Sequence, residues 1–229
     1  MILAVGDLDP KATLALITKS YGGWKKGYTA LTIAPEPPQQ AERTAEISYT
    51  GKTLPIINLG YKGDAFDPRN QDYVAALLLE DLAFGETSDL RKKLLLQEQK
   101  VQMLIGSVPK KRDQPLFEIL AMVKKTEDIA YVRDEIYRTL EEFKNTPVEA
   151  GRLRDLKRRN KYEFLMALDT PQAVAGGLAR FVALTGDISV VDTLYARMDA
   201  VTAGDIMRAA RKYFTPERRT IVLLKGGGA

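Results

Sequence analysis

The sequence predicts an α+β protein, a mixed or antiparallel β-sheet with helices packed on one face. Three observations lead there. Short runs with apolar residues at alternate positions are interspersed with longer stretches of helical periodicity. Asp or Thr followed by Pro, or by an acidic residue three positions on, marks the start of several helices. The last third is helical up to one closing apolar strand, so the helices are grouped rather than alternating with strands as in a parallel βαβ sheet.

Taken in chain order, residues 2–5 (Ile-Leu-Ala-Val) read as a strand. Asp9 as N-cap and Pro10 at the first position then open a helix with Leu14, Ile17 and Tyr21 on one face, which Gly22-Gly23 ends. Residues 24–40, with Pro35, Pro37 and Pro38, read as an extended linker. Residues 44–50 alternate with Ala45, Ile47 and Tyr49 on one side, and residues 54–62 with Ile57, Leu59 and Tyr61. Asp67-Pro68 opens a helix reaching Phe84 that is apolar nearly all round and is therefore expected to be buried.

Residues 88–100 read as a second helix, 101–108 as a strand, and 116–123 as a strand apolar on both faces, suited to the centre of a sheet. Ile129, Val132, Ile136, Leu140 and Phe143 form a stripe at helical spacing. Thr146-Pro147-Val148-Glu149 has the form of a capping box, opening a helix with Leu153, Leu156, Phe164 and Ala167 on one side. Thr170-Pro171 starts the next, whose Gly176-Gly177 pair predicts close backbone packing. Asp187 caps a short helix bearing Val191, Leu194, Tyr195 and Met198. Thr202 and Asp205 make a second capping box, with Val201 and Ile206 as a hydrophobic staple. Ile206, Ala209, Ala210 and Tyr213 share that helix's apolar face, and residues 220–224 follow Pro216 as the last strand.

The chain closes on helix, Pro and strand, but opens on a strand with no such helix before it. That is the pattern expected of a duplicated protein cut inside one repeat. Residues 1–24 would be the tail of a preceding domain, 25–41 a Pro-rich linker, 42–225 an α/β domain and 226–229 a flexible tail. The alternative is a native start at Met1 with a short edge strand.

Composition narrows the chemistry. None of the 229 residues is histidine or cysteine, so no His-dependent triad, thiol nucleophile or His/Cys metal centre lies wholly within the chain. Charged residues make up 28%, the ordinary mixture of a folded domain. Apolar runs fall far short of the roughly 20 residues of a membrane span. A net charge of +4 gives no strong field for nucleic acid.

Four segments, in this order, carry a resemblance: GDLDPKATLALITKSYGGW, PEPPQQAERTAEI, QDYVAALLLEDLAFGETSDLRKKLLLQEQKV and VTAGDIMRAARKYFTPERRTIVLL. Together they resemble the second half of one unit of the pitrilysin/insulinase family of zinc metallopeptidases, over nearly the whole chain. The resemblance implies a unit of two similar α/β domains and peptide hydrolysis by a zinc-bound water. It also implies that the inverted HxxEH helix and the distal glutamate ligand lie in the first domain, upstream of Met1. Zinc is accordingly expected in the parent protein and no cofactor in this chain.

The family also uses an arginine and a tyrosine seven residues apart to contact substrate, in a stretch shaped like SSRLxxxLRExxxLAY. Aligning Ser88-Asp89-Leu90 with that stretch puts Leu95 at the arginine position and Gln102 at the tyrosine position. Neither chemistry survives, and Arg91 falls elsewhere on the helix. The expectation is therefore no catalytic and no metal-binding residue in this chain.

Other polar groupings have plainer readings. Asp7 and Asp9 fit a turn and an N-cap better than a carboxylate pair. Arg152, Arg154, Lys157, Arg158, Arg159 and Lys161 fit a solvated helix face, with no interleaved aromatics to stack bases. Lys110-Lys111-Arg112 reads as a hairpin tip, and residues 226–228 as a flexible glycine tail, no helix following to make a phosphate loop.

The function expected is that of the carboxy-terminal, substrate-enclosing domain of an insulinase-type zinc metallopeptidase. Its partners would be an upstream zinc-binding domain, a partner half of the same family and a peptide substrate, with no nucleic acid and no membrane span. The alternative is a non-catalytic subunit of the same fold in a peptidase or membrane-associated complex. A nucleic-acid-binding module is a third reading.

Overall fold

The structure, a computed structural model, describes residues 1–25, 27, 32, 34 and 36–226. Much of the expected linker and residues 227–229 of the expected tail lie outside the described residues. Strands β1 (Arg43–Tyr49), β2 (Ile56–Lys62), β3 (Val101–Ser107), β4 (Leu116–Val123) and β5 (Arg219–Gly226) form one sheet in the order β1-β5-β2-β4-β3. β1 runs parallel to β5 and every other pairing is antiparallel, so the sheet is mixed. The helices are α1 (Pro10–Tyr21), α2 (Gln71–Phe84), α3 (Asp89–Arg91), α4 (Ile129–Asn145), α5 (Ala150–Met166), α6 (Pro171–Thr185), α7 (Val190–Ala200) and α8 (Ala203–Tyr213).

Alternation along the strands decides where these helices sit. Ile57, Leu59 and Tyr61 of β2 and Phe117, Ile119, Ala121 and Val123 of β4 point to one face and are buried. α2, α4 and α8 cover that face, α5 and α7 pack on α2, and α6 packs on α7. α2 has ten buried residues among its fourteen, which is why its sequence shows no polar side. α8 is amphipathic, burying Ile206, Ala209, Ala210 and Tyr213. Tyr213 meets Phe117, and Phe214 meets Tyr61, each with ring centroids 5.0 Å apart.

Several expectations change. Residues 2–5 form no strand: among the described residues no chain segment pairs with them, and a strand needs a neighbour for its N–H and C=O groups. The centre of the sheet is β2, not β4, and the second apolar face of β4 is one the helices leave uncovered. The predicted helix 88–100 begins as α3 but widens into a π-helical stretch, Lys92–Gln97, and stops where Gln99 takes a left-handed φ of 54°. Thr146 does not start α5; its N–H donates to the Glu142 carbonyl and closes α4, and Glu149 caps α5 instead. Gly176 faces open space, so the close packing expected of the glycine pair holds at Gly177 alone, where an added Cβ would lie 3.0 Å from Leu168.

Candidate functional site

The face of the sheet turned away from the helices is the surface with most to say about function. Paired residues share a face, and their register sets out rows across all five strands. The first row is wholly apolar: Ile47, Leu224, Ile56, Met122 and Met103. The second reads Ala45, Val222, Asn58, Leu120 and Ile105, and the third, Arg43, Thr220, Gly60, Glu118 and Ser107, is mostly polar. Lys62 lies beyond it. The face thus grades from apolar to polar across its width. Ile47 is 49% exposed, Tyr49 51% and Ile105 45%, an unusual cost for a sheet to leave in water.

A β-bulge makes the apolar row continuous. Val101 and Leu104 are both buried under the helices, a spacing of three that strict alternation forbids. The register slips between Val101 and Met103, leaving Gln102 as the extra residue. After the slip Met103 and Ile105 lie on the uncovered face. Gln102 itself is exposed, whereas Leu95, on the π-helical stretch, is half-buried and packs against the core. Arg91 is occupied elsewhere: its Nη1 donates to the Leu104 carbonyl at 2.9 Å, capping the edge strand β3. The bulge was missed in the sequence, although the Val101–Leu104 spacing signals it.

Other polar groupings resolve into scaffold. Asp9 accepts from the Ala12 N–H at 2.8 Å as the N-cap of α1, and Asp7 is exposed. The basic run on α5 is largely stapled to its neighbours. Arg159 holds both oxygens of Asp81 at 2.8 and 2.9 Å, and Arg152 reaches Asp89 and the Leu82 carbonyl at the end of α2. Lys157 donates to the carbonyls of Asp199 and Val201 at the end of α7, where a cation also meets the negative pole of that helix. Burial lowers the Lys157 pKa, against the raising effect of Asp199 and Asp205. Among the described residues, Lys110 at the β3–β4 turn lies close enough to Glu80 and Arg180 for their charges to act on it.

Zinc, which the family resemblance implies, does not fit these residues. With no histidine or cysteine, only carboxylates could ligate it, and among the described residues no three acidic side chains converge. Among the described residues no single helix is long and apolar enough to cross a membrane; α6 and α7 qualify only as a pair and meet at 90°.

The comparisons agree with this fold. Zinc protease PqqE from Helicobacter pylori (strain ATCC 700392 / 26695) is 26% identical over 231 residues, covering 98% of this chain and 51% of the relative. The crystal structure of a protease from Helicobacter pylori superposes with a TM-score of 0.86 at 25% identity, covering 96% of this chain and 53% of the other. The peptidase M16 inactive domain from Pseudomonas fluorescens gives a TM-score of 0.78 at 16% identity, covering 98% and 53%, a likeness of fold. The chain thus spans about half the length of these relatives. The family described as "Peptidase M16 inactive domain" matches residues 1–160, and the chain belongs to it.

Proposed function

We propose that this chain is the non-catalytic half of a zinc metallopeptidase unit, and that its uncovered sheet face is one wall of the space in which a peptide is held. The observation that carries this reading is the pairing of that exposed apolar face with a donor set unable to hold zinc. The chemistry would then reside on the part of the relatives that this chain does not span. Residues 1–24 would belong to that other part: α1 buries none of its residues, and Leu14 and Leu16 are each 64% exposed. Residues 42–225 would fold as the inactive domain proper. Leu95 and Gln102, at the positions of the family's arginine and tyrosine, would leave substrate contacts by those two groups to a partner half.

Two measurements test this. The isolated chain should hold well under one zinc after dialysis and should not cleave a quenched peptide. Addition of a half bearing HxxEH should produce chelator-sensitive cleavage. Stoichiometric zinc on the chain alone would overturn the assignment, and an assembled but silent pair would favour the structural-subunit reading. Separately, removal of residues 1–24 should leave a cooperative domain whose urea midpoint is nearly unchanged, because no buried side chain is lost. Unfolding on truncation would place α1 within the domain.

A further inference from the structure

We infer that residues 36–42 form a strap fastened across the polar end of the uncovered face, with Lys62 as a releasable latch and Gln39 as a fixed pin. Lys62, at the end of β2, reaches back to this segment. Its Nζ lies 3.0 Å from Glu36 Oε1 and donates to the Pro37 carbonyl at 3.1 Å. Gln39 is the half-buried residue between exposed neighbours. Its Nε2 donates to the carbonyls of Ala41 and Arg219 at 2.9 and 2.7 Å, and its Oε1 accepts a long bond from Thr220 Oγ1. Glu42 ion-pairs with Arg219, whose guanidinium lies 4.0 Å from the centre of the Tyr137 ring.

Latch and pin are joined by Pro37-Pro38, a dipeptide with both φ angles fixed and no N–H to donate. A stiff joint between two fastenings transmits direction. While Lys62 holds, Glu36 and Pro37 are fixed in direction relative to the sheet. Once it lets go, their direction is governed by the pin alone.

The two fastenings differ in kind. The Lys62 side chain is 20% exposed but Glu36 is 69% exposed, so salt screens the ion pair. The Gln39 bonds are neutral, two to backbone carbonyls and a long one from the Thr220 hydroxyl, so salt leaves them alone. The strap's contacts with the sheet fall where the face is polar, at Thr220 and Lys62. Under the proposed function, this latch would set how the other half approaches the wall. The strap is tested on this chain alone, so its outcome is separate from that of the chamber reading.

The absence of cysteine allows clean labelling. Spin labels at Ala34→Cys and Lys124→Cys report the distance from the strap's upstream end to the sheet. In low salt the wild-type background should give one narrow distribution. Lys62→Met and Glu36→Gln should each broaden it about two-fold, as should raising the salt to about 0.5 M, where the Debye length is only a few ångström. Salt should add little in Lys62→Met, because the ion pair that remains, Glu42–Arg219, lies on the far side of the Gln39 pin from the label and is more buried than Lys62–Glu36. Gln39→Ala should broaden the distribution at any salt. Thermal melts of each variant check that the sheet is intact. Unchanged distributions in both latch variants, or a salt response that persists in Lys62→Met, would overturn the proposal.

Discussion

Replacing Asp64 by alanine is expected to cost the fold about 3 kcal/mol, a large share of the stability of a domain this size. Asp64 sits between β2 and α2, and its Oδ2 accepts from Tyr213 Oη at 2.6 Å and from Lys212 Nζ at 2.9 Å. Tyr213 is wholly buried, so losing its acceptor strands a hydroxyl that cannot reach water. The damage spreads because Lys212 also serves Asp72, and Arg208 bridges Asp72 and Asp205. These carboxylates fasten α8 to the start of α2. Urea unfolding at neutral pH is the measurement, with Tyr213→Phe and the double variant completing a cycle. A loss below about 0.5 kcal/mol would show that the network carries no weight.

The same network should set the acid limit. Burial pushes the Asp64 and Asp72 carboxyls up, but hydrogen bonds from Tyr213 and Lys212, and from Arg208 and Lys212, outweigh it and hold both below the usual range. Asp205 is held at about 2, burial again being outweighed by bonds from Thr202, Arg208 and Gln71. An acid with a depressed native pKa stabilises the fold above its unfolded pKa. That contribution disappears as pH falls through the native value. Stability should therefore decline from about pH 4 downward, and Asp64→Ala should flatten the decline.

How much of this was legible in sequence depended on whether the signal was local. Caps were legible in part, because a cap is a few adjacent residues, although Asn70 rather than Asp67 caps α2 and α7 starts from Ser189 rather than Asp187. Asp9 and Thr170 cap where expected, and Thr202 and Asp205 close their box in both directions. Thr146 misled because two helices compete for it, a contest decided by how far α4 extends. Burial of the Ile57, Leu59 and Tyr61 face followed from alternation. Alternation could not say that the other face of β4 stays bare, since an apolar residue reads alike under a helix or facing a cavity. A mixed or antiparallel sheet was expected, but the strand order was not, because parallel pairing of β1 with β5 joins segments far apart in sequence. The candidate surface suffered most: its graded rows exist only once the register is known.

Glu80 offers the counterpart to the acidic network, and its replacement by glutamine should stabilise the chain above neutral pH. The side chain lies along α2 over Gly106 of β3, with Cγ and Oε1 each 2.9 Å from where a Cβ at 106 would be. Burial pushes its carboxyl up to about 7; the neighbouring Asp81 charge adds to the shift, and Lys110 opposes it. A raised native pKa means that the folded chain holds this proton when the unfolded chain has already lost it. Folding stability from this group is therefore full below the unfolded pKa near 4.5, and is lost as pH rises to about 7. The shift, from 4.5 to about 7, corresponds to roughly 3 kcal/mol at 1.36 kcal/mol per pH unit. Glu80→Gln, neutral at every pH, should match the wild type near pH 4.5 and exceed it by about 3 kcal/mol at pH 8. Urea midpoints across that range decide the matter, and parallel curves for the two proteins would refute it. Because Asp64, Asp72 and Asp205 lose stability on the acid side and Glu80 loses it on the way to neutrality, the wild type should be most stable near pH 4–5, and Glu80→Gln should move that optimum upward.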